Sequence, residues 1–205
     1  MTRSQPSILP GILAMATIVV ASNILVQFLF GNWLTWGAFT YPLAFLVTDV
    51  MNRVYGSALA RRVVFFGFFV GVICSLVASA FDATTLRIAI GSGLAFLTAQ
   101  LLDISVFNRL RSGRWWTAPA VSSVIGSSVD TALFFSLAFS QTFAFIDRAD
   151  DVSWAAEMLP LLGWGPVAPL WVSLAVADWG VKMVLALIAL VPFRLIVGRL
   201  AAPAT

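Results

Sequence analysis

The run Val63-Val-Phe-Phe-Gly67-Phe-Phe-Val-Gly71-Val-Ile-Cys74-Ser75-Leu-Val-Ala-Ser79-Ala80 contains no charged side chain. A helix rising about 1.5 Å per residue crosses a hydrocarbon core of roughly 30 Å in about twenty residues. The run is near that length. Gly67, Gly71, Ser75 and Ser79 recur in it at i+4. A stripe of small residues lets helix backbones approach closely in lipid. It reads first as packing within a bundle and second as a homodimer contact.

Working outward, the chain divides into six such spans: Ile8–Phe30, Ala38–Val54, Val63–Ala80, Ile88–Phe107, Ala118–Phe145 and Val167–Leu190. The expected fold is an all-α integral membrane protein, a six-transmembrane-helix bundle forming one domain over residues 1–205. Composition agrees, with 60% hydrophobic and 10% charged residues and a mean hydropathy of +0.98. A soluble domain carries about 25% charged residues.

Loop charges orient the bundle. One set of connecting segments holds Arg3, Arg53, Arg61, Arg62, Arg109, Arg111, Arg114, Arg194 and Arg199. The other holds only Arg87 and Arg148, with Asp82, Asp147, Asp150, Asp151 and Glu157. Arginine excess marks the cytoplasmic side, so both termini are expected there. Trp33, Trp36, Trp164 and Trp171 then fall near the outer surface, Trp115 and Trp116 near the inner one. Ala14-Met15-Ala16 faintly resembles a signal-peptidase site, but the apolar run continues past it, so a retained span is expected. In the outer segment 147–165, Asp150 or Asp151 could cap a short interfacial helix through Trp154–Leu162.

Five charges lie inside these spans: Asp49, Asp103, Asp130, Asp178 and Lys182. Each costs roughly 2.5–3.5 kcal/mol on insertion scales, so together they imply a polar site between helices. From the helix rise, Asp130 is roughly 18 Å and Asp178 roughly 16 Å from the nearer end of its span. All five can share one layer from the midplane toward the cytoplasm. Asp178 and Lys182 are i and i+4 and can pair, statically or as a site of proton coupling. Asp49 can likewise pair with Arg53. Gln100, Asp103 and Phe107 share a helix face, and Ser127, Asp130 and Phe134 repeat the arrangement. Interhelical hydrogen bonding alone could account for either set. Asn23 and Gln27 add an amide face. Tyr41 precedes Pro42, whose ring disfavours helix before it. Such a break is tolerated at membrane depth only where it lines protein or a cavity. Pro192 should kink or end the last helix.

The chemistry excluded is broad. There is no histidine, hence no serine–histidine site and no histidine metal ligation. Walker and calcium-loop motifs are absent, and the basic residues form no stripe for nucleic acid. No metal, cofactor or enzymatic activity is expected. A binding site for a flat, nitrogen-rich solute fits better. A carboxylate accepts two parallel N–H bonds, an amide donates to a ring carbonyl, and Tyr or Phe rings cover the faces.

Thr35-Trp-Gly-Ala-Phe-Thr-Tyr-Pro42, Phe45-Leu-Val-Thr-Asp49, Tyr55-Gly56 with Ala60-Arg-Arg62, Gln100-Leu-Leu-Asp103 with Val106-Phe-Asn-Arg109, Trp115-Trp116 with Ala118-Pro119, and Ser128-Val-Asp130-Thr131 occur in this order. From Ser22 to Pro192 the chain thereby resembles the YhhQ-type queuosine precursor transporters of the vitamin uptake transporter family. The resemblance implies a six-helix uptake protein of the bacterial inner membrane. Its implied cargo is 7-cyano-7-deazaguanine and 7-aminomethyl-7-deazaguanine. Gln100, Asp103 and Asp130 are the implied ligand contacts, supported by Asn23, Asp49 and Lys182. Ser127 departs from the glutamine common in the family at that position. Two other readings compete: a membrane subunit that binds substrate for an ATP-driven importer, and a non-transporting membrane scaffold.

Overall fold

A computed structural model describes residues 7–147 and 150–200. Arg3 and Arg148 of the charge count lie outside the described residues. The helices are α1 (Leu9–Leu25), α2 (Gly37–Thr40), α3 (Leu43–Tyr55), α4 (Ser57–Ala80), α5 (Leu86–Leu110), α6 (Thr117–Phe139) and α7 (Leu170–Leu200). α4 to α7 are each long and apolar enough to cross a membrane, and α1 is a shorter apolar helix. The chain is thus an all-α, multi-pass membrane protein.

α2 and α3 are two parts of one bent element. Tyr41 and Pro42 keep helical dihedrals (φ −56° and −61°). Around them the bonds tighten to i+3 steps, with Ala44 N–H donating to Tyr41 O at 3.0 Å and Phe45 N–H to Pro42 O at 3.1 Å. Pro42 has no N–H to give and its ring crowds the preceding turn. The result is a bend that brings the Tyr41 ring inward. Gly56, at φ 87°, joins α3 to α4 in a single residue, a conformation a side chain disfavours.

Several expected boundaries are corrected. The first helix ends at Leu25, before the expected Phe30. Leu29–Phe30 (β1) instead pairs antiparallel with Leu34–Thr35 (β2) across a turn that includes Gly31 at φ 67°. The fifth expected span ends at Phe139, where Ser140 turns to extended dihedrals. The interfacial helix expected over Trp154–Leu162 does not form. Ser153–Ala156 makes a 3-10 turn, and Met158–Pro160 (β3) pairs with Val167–Pro169 (β4). Pro160, Pro166 and Gly163 (φ 88°) break the helical ladder there. The cap residue of the Ser153–Ala156 turn is Val152, which makes no side-chain cap bond, and Asp151 lies one residue before it. Asp151 accepts from the Ser153 hydroxyl and N–H, which hold its carboxyl below the usual range. The last helix starts at Leu170 and runs through Pro192 to Leu200. Pro192 therefore does not end it, and neighbouring helices can tolerate the lost bond.

Packing fixes the centre of the bundle. α5 and α6 form the most extensive helix pair. α1 lies on α4, where Gly67 and Gly71 admit Met15 and Val19. A side chain at Gly67 would come within 2.6 Å of Met15 Cγ, so that part of the small-residue stripe serves the bundle interior. Met15, Val63, Val64, Phe96 and Ile104 bury around α3. Large apolar side chains on α4 and α7, such as Phe69, Ile73, Leu76, Leu187 and Val191, are exposed. In a membrane protein that face meets lipid.

Arg87, counted above among loop charges, is fully buried. Its Nε donates to Leu137 O at 2.7 Å and its Nη2 to Ser140 O. It therefore caps the carbonyls at the C-terminus of α6, the electronegative end of that helix.

Candidate functional site

The five charges expected inside the spans sort into two groups. On α3, Thr48 and Asn52 face α5, because residues four apart share a helix face. Thr48 Oγ1 donates to Gln100 Oε1 at 2.5 Å, and Asn52 Nδ2 donates to Ile104 O at 3.3 Å. Asp49 is turned toward α6 and accepts from Ser122 Oγ at 3.3 Å and Ser123 Oγ at 3.2 Å. Asp103 of α5 lies beside Asp49. Gly126 of α6 allows this closeness. A Cβ there would stand 2.7 Å from the Phe45 ring, 3.3 Å from Ala99 O and 3.4 Å from Asp103 Cβ.

This group is incomplete. Asp103 is fully buried, and its carboxyl oxygens meet only the Ser122 hydroxyl and the Asp49 carboxyl, neither in good hydrogen-bond geometry. The Ser122 Oγ stands 3.3 Å from Asp49 Oδ1 and 3.4 Å from Pro119 O and lies against the Asp103 carboxyl, and its one hydrogen serves a single acceptor at a time. Gln100 is fully buried with Nε2 unpartnered. Among the described residues no cation pairs with Asp49 or Asp103. Buried polar groups without partners are rare and costly, about 1–3 kcal/mol each. Two poorly satisfied acceptor oxygens and an open amide donor thus lie one turn apart on α5.

The second group is saturated. Lys182 Nζ lies 2.7 Å from Asp130 Oδ2 and 2.5 Å from Asp178 Oδ2, and donates to Thr131 Oγ1 at 3.0 Å. Thr131 Oγ1 donates to Asp178 Oδ2 at 2.8 Å, and Tyr41 Oη to Asp130 Oδ1 at 3.3 Å. Lys182 also lies 5.6 Å from the Tyr41 ring centroid. The expected Asp178–Lys182 pair is therefore present, with Asp130 as a third member. Its α6 carboxylate is fully engaged and offers no free edge.

One crevice touches the two groups through Asp49, Ser123 and Lys182, with Phe45, Ser127 and Phe193 also on its wall, whereas Gln100, Asp103 and Asp130 do not line it. Its free volume is about 10 Å³, room for about one water. The helices are closed upon it and leave no room for a larger solute. Toward the arginine-rich end the crevice stops at Phe193, which is buried and packs edge-to-face on Phe107 at 6.2 Å.

Some expected residues fall elsewhere. Asp49 does not pair with Arg53. The Arg53 Nη1 donates to Arg111 O at 2.9 Å, at the end of α5. Asn23 does not reach the buried groups, since its Nδ2 donates to Val19 O of its own helix at 2.9 Å. Phe134 packs with Phe135 and Phe139 in a cluster with Ala155, apart from Asp103. Phe107 is fully buried and packs on Phe193, which lines the crevice. Ser122, which recurs with Gly126 and Asp130 at i+4 and so leaves space beside a carboxylate, is joined in the site by Thr48, Ser123 and Phe45, which sequence reasoning did not single out as site members. Thr48-Asp49 and Ser122-Ser123 are polar pairs within apolar spans, a signal the sequence did carry.

Residues 35–197 match a family model described as "Putative vitamin uptake transporter". The chain is 32% identical over 194 residues to the "Queuosine precursor transporter" of Escherichia coli K12, covering 85% of this chain and 79% of that one. It is 42% identical over 124 residues to a "Probable queuosine precursor transporter" of Haemophilus influenzae, covering 53% of each chain. A Bacillus subtilis protein with the same description is 35% identical over 134 residues, covering 54% of this chain and 58% of that one. No solved structure matches the chain.

Proposed function

The chain belongs to the vitamin uptake transporter family, a family of transporters and not of enzymes, and from that premise we propose that it carries queuosine precursors inward across the bacterial inner membrane. The proposed cargoes are 7-cyano-7-deazaguanine and 7-aminomethyl-7-deazaguanine. In this reading α1, the α2–α3 element and α4 to α7 make six crossings, with both termini cytoplasmic. The arginine asymmetry of the connecting segments supports that orientation.

One observation supports the site assignment: the Asp103 carboxyl, which meets only Asp49 and Ser122, and the unpartnered Gln100 Nε2 one turn away on α5 are both fully buried. The deazaguanine edge presents N1–H and a 2-amino group side by side, and O6 next to them. Asp103 accepts the two N–H bonds and Gln100 donates to O6. Thr48 holds the Gln100 amide, and Asp49 supplies the neighbouring carboxyl that suits an aminomethyl cation. Phe45 offers a ring for the base face. Lys182 offsets one of the two negative charges of Asp130 and Asp178, and this contact between α6 and α7 rearranges when α7 moves. Movement of α7 about Pro192, carrying Phe193 off Phe107, opens the site to the cytoplasm.

The test is uptake in a bacterial strain unable to synthesise the precursors, with the chain as its sole carrier. Asp103→Asn keeps the shape but turns one acceptor into a donor that opposes the base edge. Precursor-dependent tRNA modification should fall by about a hundredfold at limiting precursor, the cost of two charge-assisted bonds. Undiminished uptake by Asp103→Asn, at equal protein abundance, would remove the assignment.

A further inference from the structure

At the arginine-rich end, beyond Phe193, a second cavity of about 270 Å³ is lined by Arg53, Trp115, Phe193, Arg194, Val197 and Gly198. Its rim is basic and its wall largely apolar. The Arg194 guanidinium lies over the Trp115 ring at 4.8 Å. Arg53 and Arg111 clasp one another's backbones: Arg53 Nη1 donates to Arg111 O, while Arg111 Nη2 donates to Arg53 O at 2.8 Å and to Asn52 O. Three guanidiniums thus gather where α3, α5 and α7 end. The N-terminus of α6, whose cap residue Trp116 makes no side-chain cap bond, adds the positive end of a long helix beside Trp115.

Among the described residues no carboxylate is there to balance them. The chain has nine acidic residues. Asp49, Asp103, Asp130 and Asp178 are committed to the groups described above, and Asp82, Asp147, Asp150, Asp151 and Glu157 belong to segments at the opposite end. Carbonyls at the ends of α3 and α5 take part of the Arg53 and Arg111 charge, and the positive charge that remains favours an external anion. The apolar wall of Phe193 and Val197 selects an anion that carries hydrocarbon. On the proposed topology this cleft opens at the cytoplasmic headgroup layer, where anionic lipids interact with basic residues at about 1 kcal/mol each.

We propose that this cleft binds the phosphate of an anionic phospholipid headgroup, with the guanidiniums of Arg53 and Arg194 as its ligands and Phe193 and Val197 against the glycerol and first acyl carbons. The bound headgroup ties α3 to α7 on the cytoplasmic side of Phe193. This inference rests on the topology proposed above, but its test reads binding in detergent, where neither sidedness nor transport enters.

The purified chain would be titrated with phosphatidylglycerol, phosphatidylcholine or inorganic phosphate, and lipid retention read by native mass spectrometry alongside thermal stability. Phosphatidylglycerol should be retained and should stabilise the protein, whereas the other two should not. Arg53→Gln with Arg194→Gln should weaken its binding by about thirtyfold. Arg61→Gln with Arg62→Gln removes the same charge from exposed positions outside the cleft and should leave binding near the parent value. Arg53→Lys with Arg194→Lys should keep part of the binding and guards against loss of fold. Equal weakening by both glutamine pairs would overturn the site, as would equal retention of phosphatidylcholine. Stabilisation by inorganic phosphate alone would overturn the lipid as its ligand.

Discussion

The Thr48 hydroxyl fills the carbonyl end of the Gln100 amide at 2.5 Å, across the α3–α5 interface. The amide is thereby oriented with Nε2 open, one helical turn from the Asp103 carboxyl. Thr48→Val keeps the shape of the side chain and removes only this bond. The amide is then free to rotate. Half-saturation for precursor uptake should rise by about tenfold, the worth of one buried hydrogen bond, with protein abundance unchanged. Thr48→Ser should restore it. An unchanged uptake curve for Thr48→Val would detach Thr48 from recognition.

Lys182 answers two carboxylates at once. Removing one partner of a buried ion pair costs about 3–5 kcal/mol, whereas removing the whole set can be nearly neutral. Lys182→Met should therefore lower thermal stability sharply. Adding Asp130→Asn and Asp178→Asn to it should recover most of the loss. If the triple variant melts no higher than Lys182→Met, the three charges do not act as one unit.

Gly126 holds the place where α3, α5 and α6 meet beside Asp103. Gly126→Ala would press on the buried Phe45 ring and the Ala99 carbonyl, and overpacking of this kind costs about 1–3 kcal/mol. Both stability and precursor affinity should fall. Phe45→Leu in the same chain should recover stability by giving the new methyl room, but should not recover affinity if the Phe45 ring covers the base. Thermal melting and ligand titration read the two effects separately.

Arg87 caps the end of α6 with bonds to Leu137 O and Ser140 O. Arg87→Met keeps the length and loses both bonds. Stability should drop by about 3 kcal/mol, the range for charge-assisted bonds, while the half-saturation concentration for precursor stays near that of the parent protein. A selective loss of substrate affinity would place Arg87 in recognition instead.

Much of the fold could be read from hydropathy, because lipid demands long apolar helices with internally satisfied backbones. The two hairpins could not. Met158–Pro160 and Val167–Pro169 are as apolar as a helix, and only the intervening prolines and glycines oppose one. Asp178–Lys182 was legible because i+4 spacing brings side chains together within one helix. Its third member, Asp130, required the docking of α6 on α7. The same spacing misled at Asp49 and Arg53. Arg53 reaches a carbonyl at the end of α5, and Asp49 finds two hydroxyls on α6. Asp103 and Asp130 looked alike in sequence. What separates them is an ammonium group from another helix, and one-dimensional periodicity does not carry that.

The central claim is that Asp103 and Gln100 together read a deazaguanine edge. Equilibrium binding of 7-cyano-7-deazaguanine, 7-aminomethyl-7-deazaguanine and guanine to the purified chain and to its Asp103→Asn variant tests it most directly. The account predicts saturable binding of the deazaguanines to the parent protein and a loss of about a hundredfold in the variant. Equal affinity of the two proteins for the deazaguanines would contradict it.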